Sequence, residues 1–287
     1  MKFGILFANA GPFGTRDGLG ALARHAEAAG IESLWTVEHV AVPVGYESRY
    51  PYSPSGKMPG PEDSPIPDPV LPLAYAAAVT ERIRLGTGVL ILPQRHPLYV
   101  AKEFATLDVL SNGRAMLGIG IGWLAEEFAA VGVPFEERAG RTREAVKAIR
   151  QLWSDGARPF EGKYFRWPAL ESNPKPVQKP GVPIVVGGHT EIAARRAARY
   201  GDGFFPAIAD VSQLSALLAI VRDECAKIGR DPGDVEVTAG AGFVDADQAR
   251  RLRDAGAARI AIAPPAFDPA ALPAAFADFN ERVASKL

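Results

Sequence analysis

Short apolar runs alternate along the chain with longer stretches in which apolar residues recur at helical spacing. The runs are Lys2–Ala8, Ser33–Val37, Ile83–Leu92, Ala115–Ile119, Pro183–Gly187, Gly203–Pro206, Val235–Ala241 and Arg259–Ala263. Each reads as apolar throughout rather than alternating, the pattern of a strand buried on both faces in a parallel sheet. Helical spacing predicts helices over Asp17–Ala29, Asp68 to about Thr80, Leu98–Leu110, Leu124–Val131, Arg138–Trp153, Glu191–Tyr200, Val211–Lys227, Asp247–Ala255 and Ala270–Val283. Gly30 follows the first of them as a left-handed cap, and Asp68-Pro69 opens the second with an N-cap aspartate and a proline at the first helical position. Eight such β/α repeats predict a (β/α)8 TIM barrel, one domain over residues 1–287, rather than an open doubly wound sheet.

Two segments interrupt the repeat. Glu38–Pro67, after the second strand, is rich in Pro, Gly, Ser and Tyr and has no period, which predicts an extended lid loop. Arg158–Val182, before the fifth strand, reads as an irregular, proline-rich insertion crossing the surface.

Composition narrows the partners. Lys and Arg number 32 against 33 Asp and Glu, for a net charge of −1, so no global basic field exists to hold nucleic acid or an anionic membrane. The expected partner is a small organic molecule. The opening MKFGILFANA imitates a leader, but its apolar run is shorter than the roughly 7–15 residues of a secretory core, and it reads as a strand. No run approaches the roughly 18 apolar residues of a membrane span, which favours a cytoplasmic location. Cys225 shares a helical face with Leu218 and Val221 and reads as core packing.

In a barrel, chemistry gathers where strands end. Glu38-His39 ends the second strand and is the acid/base candidate, since histidine titrates near neutrality. The third strand carries Gly86 and Gly88, and glycine within a strand marks a bulge or a close backbone approach to a ligand; Arg95-His96 beyond it could meet a substrate anion. Gly120 and Gly122 precede Trp123, a pocket-wall residue, with Glu126 and Glu127 one turn on. Their G-x-G-x-x-A spacing lacks the acidic strand end of a dinucleotide site. Gly187-Gly188-His189-Thr190 can offer backbone N–H groups and a helix N-terminus to a phosphate, or be a tight turn capped by Thr190. His25 lies mid-helix and is assigned no role. No H-x-x-x-H, carboxylate cluster or G-x-S-x-G motif is present, so no metal site or nucleophile elbow is expected.

The segments LWTVEHVAVP, ERIRLGTGVLILPQRHPL, LSNGRAMLGIGIGWLAEEFAAVGVPFEERAGRTREAV and PKPVQKPGVPIVVGG together resemble the luciferase-like monooxygenase superfamily. Within it the chain is most similar to oxidoreductases that use the deazaflavin coenzyme F420; FMN is the alternative cofactor. The resemblance implies a non-proline cis peptide at Gly88-Val89 whose bulge backs the cofactor ring, with Glu38, His39 and Gly120 beside it. It also implies a phosphate tail held by Gly187, Gly188, His189 and Thr190. Relatives carry a carboxylate where this chain has Trp123, so His39 is the expected proton donor and Glu126 the nearest carboxylate substitute. Trp123, Tyr46 of the lid, Arg95 and His96 are left to face the substrate. The implied reaction is hydride transfer between the deazaflavin and an organic substrate in a homodimeric enzyme. The alternatives are an FMN monooxygenase fed by a separate reductase and a non-catalytic flavin-binding barrel.

Overall fold

The computed structural model describes residues 1–287. Its main sheet closes into a barrel of parallel strands in the order β3-β2-β1-β11-β10-β9-β8-β5-β4, with β3 also pairing β5. The strands are β1 (Lys2–Leu6), β2 (Ser33–Thr36), the pair β3 (Arg84–Thr87) and β4 (Leu90–Ile91), β5 (Ala115–Gly120), β8 (Ile184–Gly187), β9 (Gly203–Phe205), β10 (Glu236–Gly240) and β11 (Arg259–Ile262). Since β3 and β4 are two halves of one stave, the barrel has eight staves, as the repeat pattern predicts.

The helices outside are α1 (Arg16–Ala28), α2 (Val70–Val79), α3 (Pro97–Leu110), the short α4 (Ala125–Ala130), α5 (Arg138–Trp153), α6 (Glu191–Tyr200), α7 (Val211–Ile228), α8 (Ala246–Asp254) and α9 (Leu272–Arg282). Their starts follow local chemistry. Asp68 Oδ1 accepts the backbone N–H groups of Val70 (2.8 Å) and Leu71 (3.1 Å), so it caps α2 although the helix begins one residue later than Pro69. Thr190, Asp210 and Asp245 accept the N–H three residues on at α6, α7 and α8.

Outward strand residues such as Ile5, Leu34, Phe204 and Ile260 join the helices in one large core. Inward residues form a second, small cluster of Trp35, Met116, Val185, Phe205 and Ala261, with Leu6 packed against it. Trp35 fills the barrel because its neighbours withdraw: a Cβ on Gly4 would lie 2.8 Å from its indole nitrogen, and one on Gly86 2.7 Å from its ring. Below it, buried Arg259 pairs with Glu32 (2.6 Å) and Glu236 (2.8 Å) and closes the N-terminal end. Arg259 departs from the expectation that every strand is apolar throughout; the charge is tolerated because two carboxylates and Thr238 meet it.

Arg158–Val182 is not irregular from end to end. β6 (Arg158–Glu161) and β7 (Arg166–Leu170) form an antiparallel hairpin, with Phe160 and Trp167 stacked at 4.9 Å. Glu144 of α5 accepts the three successive N–H groups of Lys163, Tyr164 and Phe165 at its turn (2.9, 2.8 and 2.8 Å). Pro159 and Pro168 mask the alternation that would have announced the strands. The lid, Glu38–Pro67, contains neither helix nor strand, as expected.

Candidate functional site

The third stave breaks at Gly88-Val89, and that peptide bond is cis, as the resemblance implies. Thr87 and Leu90 on either side are fully buried, whereas Gly88 and Val89 are half-buried and open toward the barrel mouth. The Val89 side chain occupies a slot between two neighbouring staves. A Cβ on Gly120 would stand 2.4 Å from Val89 Cγ2, and one on Gly187 2.5 Å from Val89 Cγ1. The packing gives three of the glycines a reason of their own. Gly86 is small to admit Trp35, and Gly120 and Gly187 are small to seat Val89; none of the three needs a ligand to explain it. What the arrangement leaves facing the mouth is a smooth platform of backbone and one isopropyl group.

Beside the platform, Glu38 is buried and accepts from the Ile91 N–H (2.5 Å) and from Arg95 Nε (2.8 Å). Burial pushes its carboxyl up, against the pull of Arg95. Burial opposes the Arg95 charge in turn, but Glu38 and Asp68 outweigh it and hold the guanidinium above its ordinary value. Asp68, 2.9 Å from the Arg95 guanidinium, completes the triad. Arg95 is therefore committed to carboxylates of its own chain and is not free for a substrate anion. His96 also departs from expectation. It caps α3 through Nδ1, and its ring lies 5.4 Å from Phe165 and 5.9 Å from Trp167 of the insertion hairpin.

His39 does reach the mouth, and its partner is Glu127 (Nδ1 to Oε2, 3.2 Å). The Glu127 carboxylate is fully buried and also accepts from Val40 N (2.6 Å), Ala41 N (3.2 Å) and Gln94 Nε2 (3.1 Å). Burial works to raise its pKa, but His39, Gln94 and the backbone donors together hold it below the usual carboxylate range. Glu126 points elsewhere. Its Oε1 accepts from Glu47 N (2.7 Å) and Ser48 N (3.0 Å) of the lid, and the Ser48 hydroxyl is the chief cause of a pKa lowered to about 2. A carboxyl that acidic holds no proton to donate, so the structure moves the carboxylate beside His39 from Glu126 to Glu127. The signal was present in the sequence: Leu124, Glu127 and Phe128 recur at i, i+3 and i+4 and are all fully buried, so Glu127 faces inward and Glu126 does not.

The lid crosses the mouth on a run of rings. Trp123 stands edge-on to His39 (5.6 Å), Tyr46 (5.5 Å) and Tyr50 (5.2 Å); Tyr50 meets Tyr52 (5.4 Å), and Tyr52 meets His189 (4.6 Å). Trp123 and Tyr46 thus lie where expected, in one wall of the mouth, although Tyr46 is itself buried and its hydroxyl accepts from Met58 N (2.8 Å). Both ends of the lid converge on Asn9. Its Nδ2 donates to the carbonyls of Val37 (2.9 Å) and Pro67 (3.0 Å), and its Oδ1 accepts from Val37 N (2.8 Å).

At the tip of β8, Gly188 takes a φ of 115° and Thr190 caps α6, with Ala193 N donating to its hydroxyl (3.2 Å). The first-turn N–H groups of that helix have no partner within it. His189 Nδ1 is buried without a partner, and so is Gln94 Oε1 at the tip of β4, two staves away in the same half of the mouth. Burial pushes the His189 imidazole down, which keeps it neutral. A polar ligand lying between them would satisfy both atoms. No group of three or more His, Cys, Asp or Glu is placed to hold a metal ion, and no helix is long and apolar enough to cross a membrane.

The family model described as luciferase-like monooxygenase matches residues 1–285. An uncharacterized protein of Mycobacterium tuberculosis (strain H37Rv) is 35% identical over 244 residues, covering 84% of this chain and 83% of that protein. The F420-dependent glucose-6-phosphate dehydrogenase of Kineococcus radiotolerans is 34% identical over 226 residues, 77% of this chain and 61% of the dehydrogenase. Among solved structures, the monooxygenase RslO1 from Streptomyces bottropensis superposes with a TM-score of 0.75 at 26% identity, covering 99% of each chain.

Proposed function

The chain belongs to the luciferase-like monooxygenase family, and from that premise we propose that this oxidoreductase transfers hydride between C5 of coenzyme F420 and a small organic substrate. The observation that carries the reading is the Gly88-Val89 platform, seated by Gly120 and Gly187 and flanked by a buried acid/base pair on one side and a glycine-led helix N-terminus on the other. A planar ring with an anionic tail fits this set. The platform carries no side chain bulkier than Val89, His189 Nδ1 and Gln94 Oε1 lack partners, and the N-terminus of α6 suits a phosphate.

In this reading Gly88 and Val89 back the ring, while Gly188, His189 and Thr190 hold the tail. When bound, the deazaflavin supplies the hydride chemistry. The protein supplies the rest. Glu127 fixes His39 through Nδ1, which leaves Nε2 as the nitrogen that holds or releases a proton toward the mouth. The Glu38–Arg95–Asp68 triad ties the β4 tip to the start of α2. Trp123 and the lid tyrosines exclude water from the ring's open face.

Titration of the purified protein with F420 and with FMN tests the reading. F420 is expected to bind in the micromolar range or tighter; FMN binding with no F420 binding would overturn it in favour of the monooxygenase reading that the likeness to RslO1 supports. A His39→Ala variant that keeps cofactor affinity and loses turnover separates an enzyme from a passive flavin carrier. We also propose the homodimer that family resemblance implies; Leu71 of α2 and Tyr99 and Leu110 of α3 are among its exposed apolar side chains. Sedimentation across a concentration series tests for it.

A further inference from the structure

The charged side chains of the mouth all come from one half of it. Glu38, His39, Arg95, Glu127 and His189 sit on the loops after β2, β4, β5 and β8. The other four strand-end loops are Phe7–Gly14 after β1, Pro206–Asp210 after β9, Ala241–Asp245 after β10 and Ala263–Asp268 after β11. They contain no Lys, Arg, His or Glu. Three carry one aspartate each, and each caps the helical turn that follows its loop: Asp210, Asp245 and Asp268 accept from Gln213 N (2.8 Å), Gln248 N (2.7 Å) and Ala270 N (2.9 Å). The next cations along the chain, Arg16, Arg222, Arg250 and Arg282, belong to the helices that follow; Arg16 shares a cleft with Phe13 and Pro67, and Arg250 and Arg282 share a groove with Phe243, Ala263 and Pro265.

The apolar half is also shaped toward the barrel interior. Thr238 of β10 faces inward, where it meets Arg259, so Gly240 two residues on shares that face. A Cβ on Gly240 would stand 2.6 Å from Ala207 Cα, and Gly240 N donates to the Ile208 carbonyl (3.3 Å). The loop after β9 therefore folds in over the barrel. Ala207, exposed there, and Phe7 at the tip of β1 have positive φ (53° and 61°), which only these two strand-tip residues do without being glycine. Phe7 is 42% exposed and has no aromatic partner, while Leu6 and Phe205 beneath it belong to the interior cluster.

We propose that the substrate is an uncharged, predominantly apolar organic molecule, held at the half of the mouth formed by Leu6, Phe7, Phe205 and Ala207. The proposal rests on the oxidoreductase reading above, in which the polar half is occupied by the cofactor. A phosphorylated or carboxylated substrate placed against Leu6, Phe7, Phe205 and Ala207 would lose its hydration to phenyl, isobutyl and methyl groups, a cost that dispersion does not offset; the cations Arg250, Arg282 and Lys286 line a groove with Phe243, Ala263 and Pro265 instead. The half-exposed Phe7 ring supplies contact area that an apolar ligand removes from water.

The test uses the protein equilibrated with F420 and, in parallel, without it, and compares two probes by calorimetry: 2-octanone as the neutral apolar ligand and glucose 6-phosphate as the anionic one. The ketone is expected to bind at least tenfold tighter than the sugar phosphate, with a negative heat-capacity change. Phe7→Asp is expected to weaken the ketone about tenfold and leave the cofactor titration unchanged; aspartate adopts positive φ more readily than phenylalanine, so folding is preserved. Phe7→Leu is expected to restore most of the affinity. Equal or tighter binding of glucose 6-phosphate, or a ketone affinity indifferent to Phe7→Asp, overturns the proposal. Absence of F420 binding with ketone affinity still dependent on Phe7 overturns the cofactor reading and sustains the apolar site.

Discussion

Gly120→Ala is the most informative single change, because the structure names the one side chain it disturbs. The three atoms nearest the added methyl all belong to Val89: Cγ2 at 2.4 Å, Cβ at 3.4 Å and Cγ1 at 4.0 Å. The φ of Gly120 is not positive, so alanine fits the backbone and the cost is one of packing alone. Forcing a methyl into a filled interior costs about 1–3 kcal/mol, reduced by the roughly 0.4–1 kcal/mol that replacing glycine takes from the unfolded chain's freedom. A net loss of about 1–2 kcal/mol is expected. Val89→Ala removes two half-buried methyls and costs about 1 kcal/mol. In the double variant the new Cβ meets only the Val89 Cβ position at 3.4 Å, an ordinary contact. It should therefore be no less stable than Val89→Ala alone, giving a coupling of about 1–2 kcal/mol in the stabilising direction. Urea unfolding with an unchanged m-value measures all three. The same cycle read by cofactor titration should show weakened binding in Gly120→Ala. Additivity within about 0.5 kcal/mol would refute the slot as the reason for the glycine.

Further expectations concern the two neighbouring glutamates and the cysteine. Glu127→Ala strands two lid N–H groups, His39 and Gln94, and should cost about 3–5 kcal/mol together with most of the turnover; chemical denaturation and an activity assay read the two losses separately. Glu126 responds to pH with a worked sign. Its folded pKa of about 2 lies below the unfolded 4.5, so its hold on Glu47 and Ser48 is fully present above about 4.5 and is lost as the pH falls toward 2. Limited proteolysis of the lid at stepped pH should show protection down to about 4.5 and growing cleavage below it; a loss of protection centred near neutrality would contradict this. Cys225 is fully buried in α7 and desolvation raises its pKa. A thiol reagent should label it only in denaturant, and rapid labelling of the native protein would contradict its place in the core.

The barrel was legible because each strand is written as a local apolar run, and the helix bounds of α6 follow directly from Thr190 and Gly201. The hairpin was not, since two prolines hide its period and its turn is held by Glu144, a residue well back in the chain. The same distinction runs through the site. His39 could be read from its place at a strand end. Its partner turned on which of two adjacent glutamates faces inward, a helix phase that Leu124 and Phe128 alone carry over a single short turn. Arg95 and His96 have partners that a one-dimensional pattern does not show, Glu38 and Asp68 for the guanidinium and the hairpin rings for the imidazole. The strand glycines were identified as important, but the objects they accommodate, Trp35 and Val89, come from neighbouring staves and are invisible to a one-dimensional pattern.

Asn9 gives the lid a property separate from its contents. One buried amide holds the carbonyls at both ends of the Glu38–Pro67 segment, and Thr36 Oγ1 donates to the Pro69 carbonyl (2.8 Å) beside it. The segment is thus a loop closed at its base and anchored again along residues 40–52, by Glu127 at Val40 and Ala41, by Glu126 at Glu47 and Ser48 and by the ring contacts of Tyr46, Tyr50 and Tyr52, while residues 53–66 lie beyond those anchors. Closing a flexible loop of twice the length costs only about 0.6 kcal/mol more, so segments of different length and sequence can be exchanged over residues 53–66 with little effect on the stability of the scaffold. A library that varies residues 53–66 while keeping Asn9, Thr36, Pro67 and the anchored residues 40–52 is therefore the natural route to new substrate ranges.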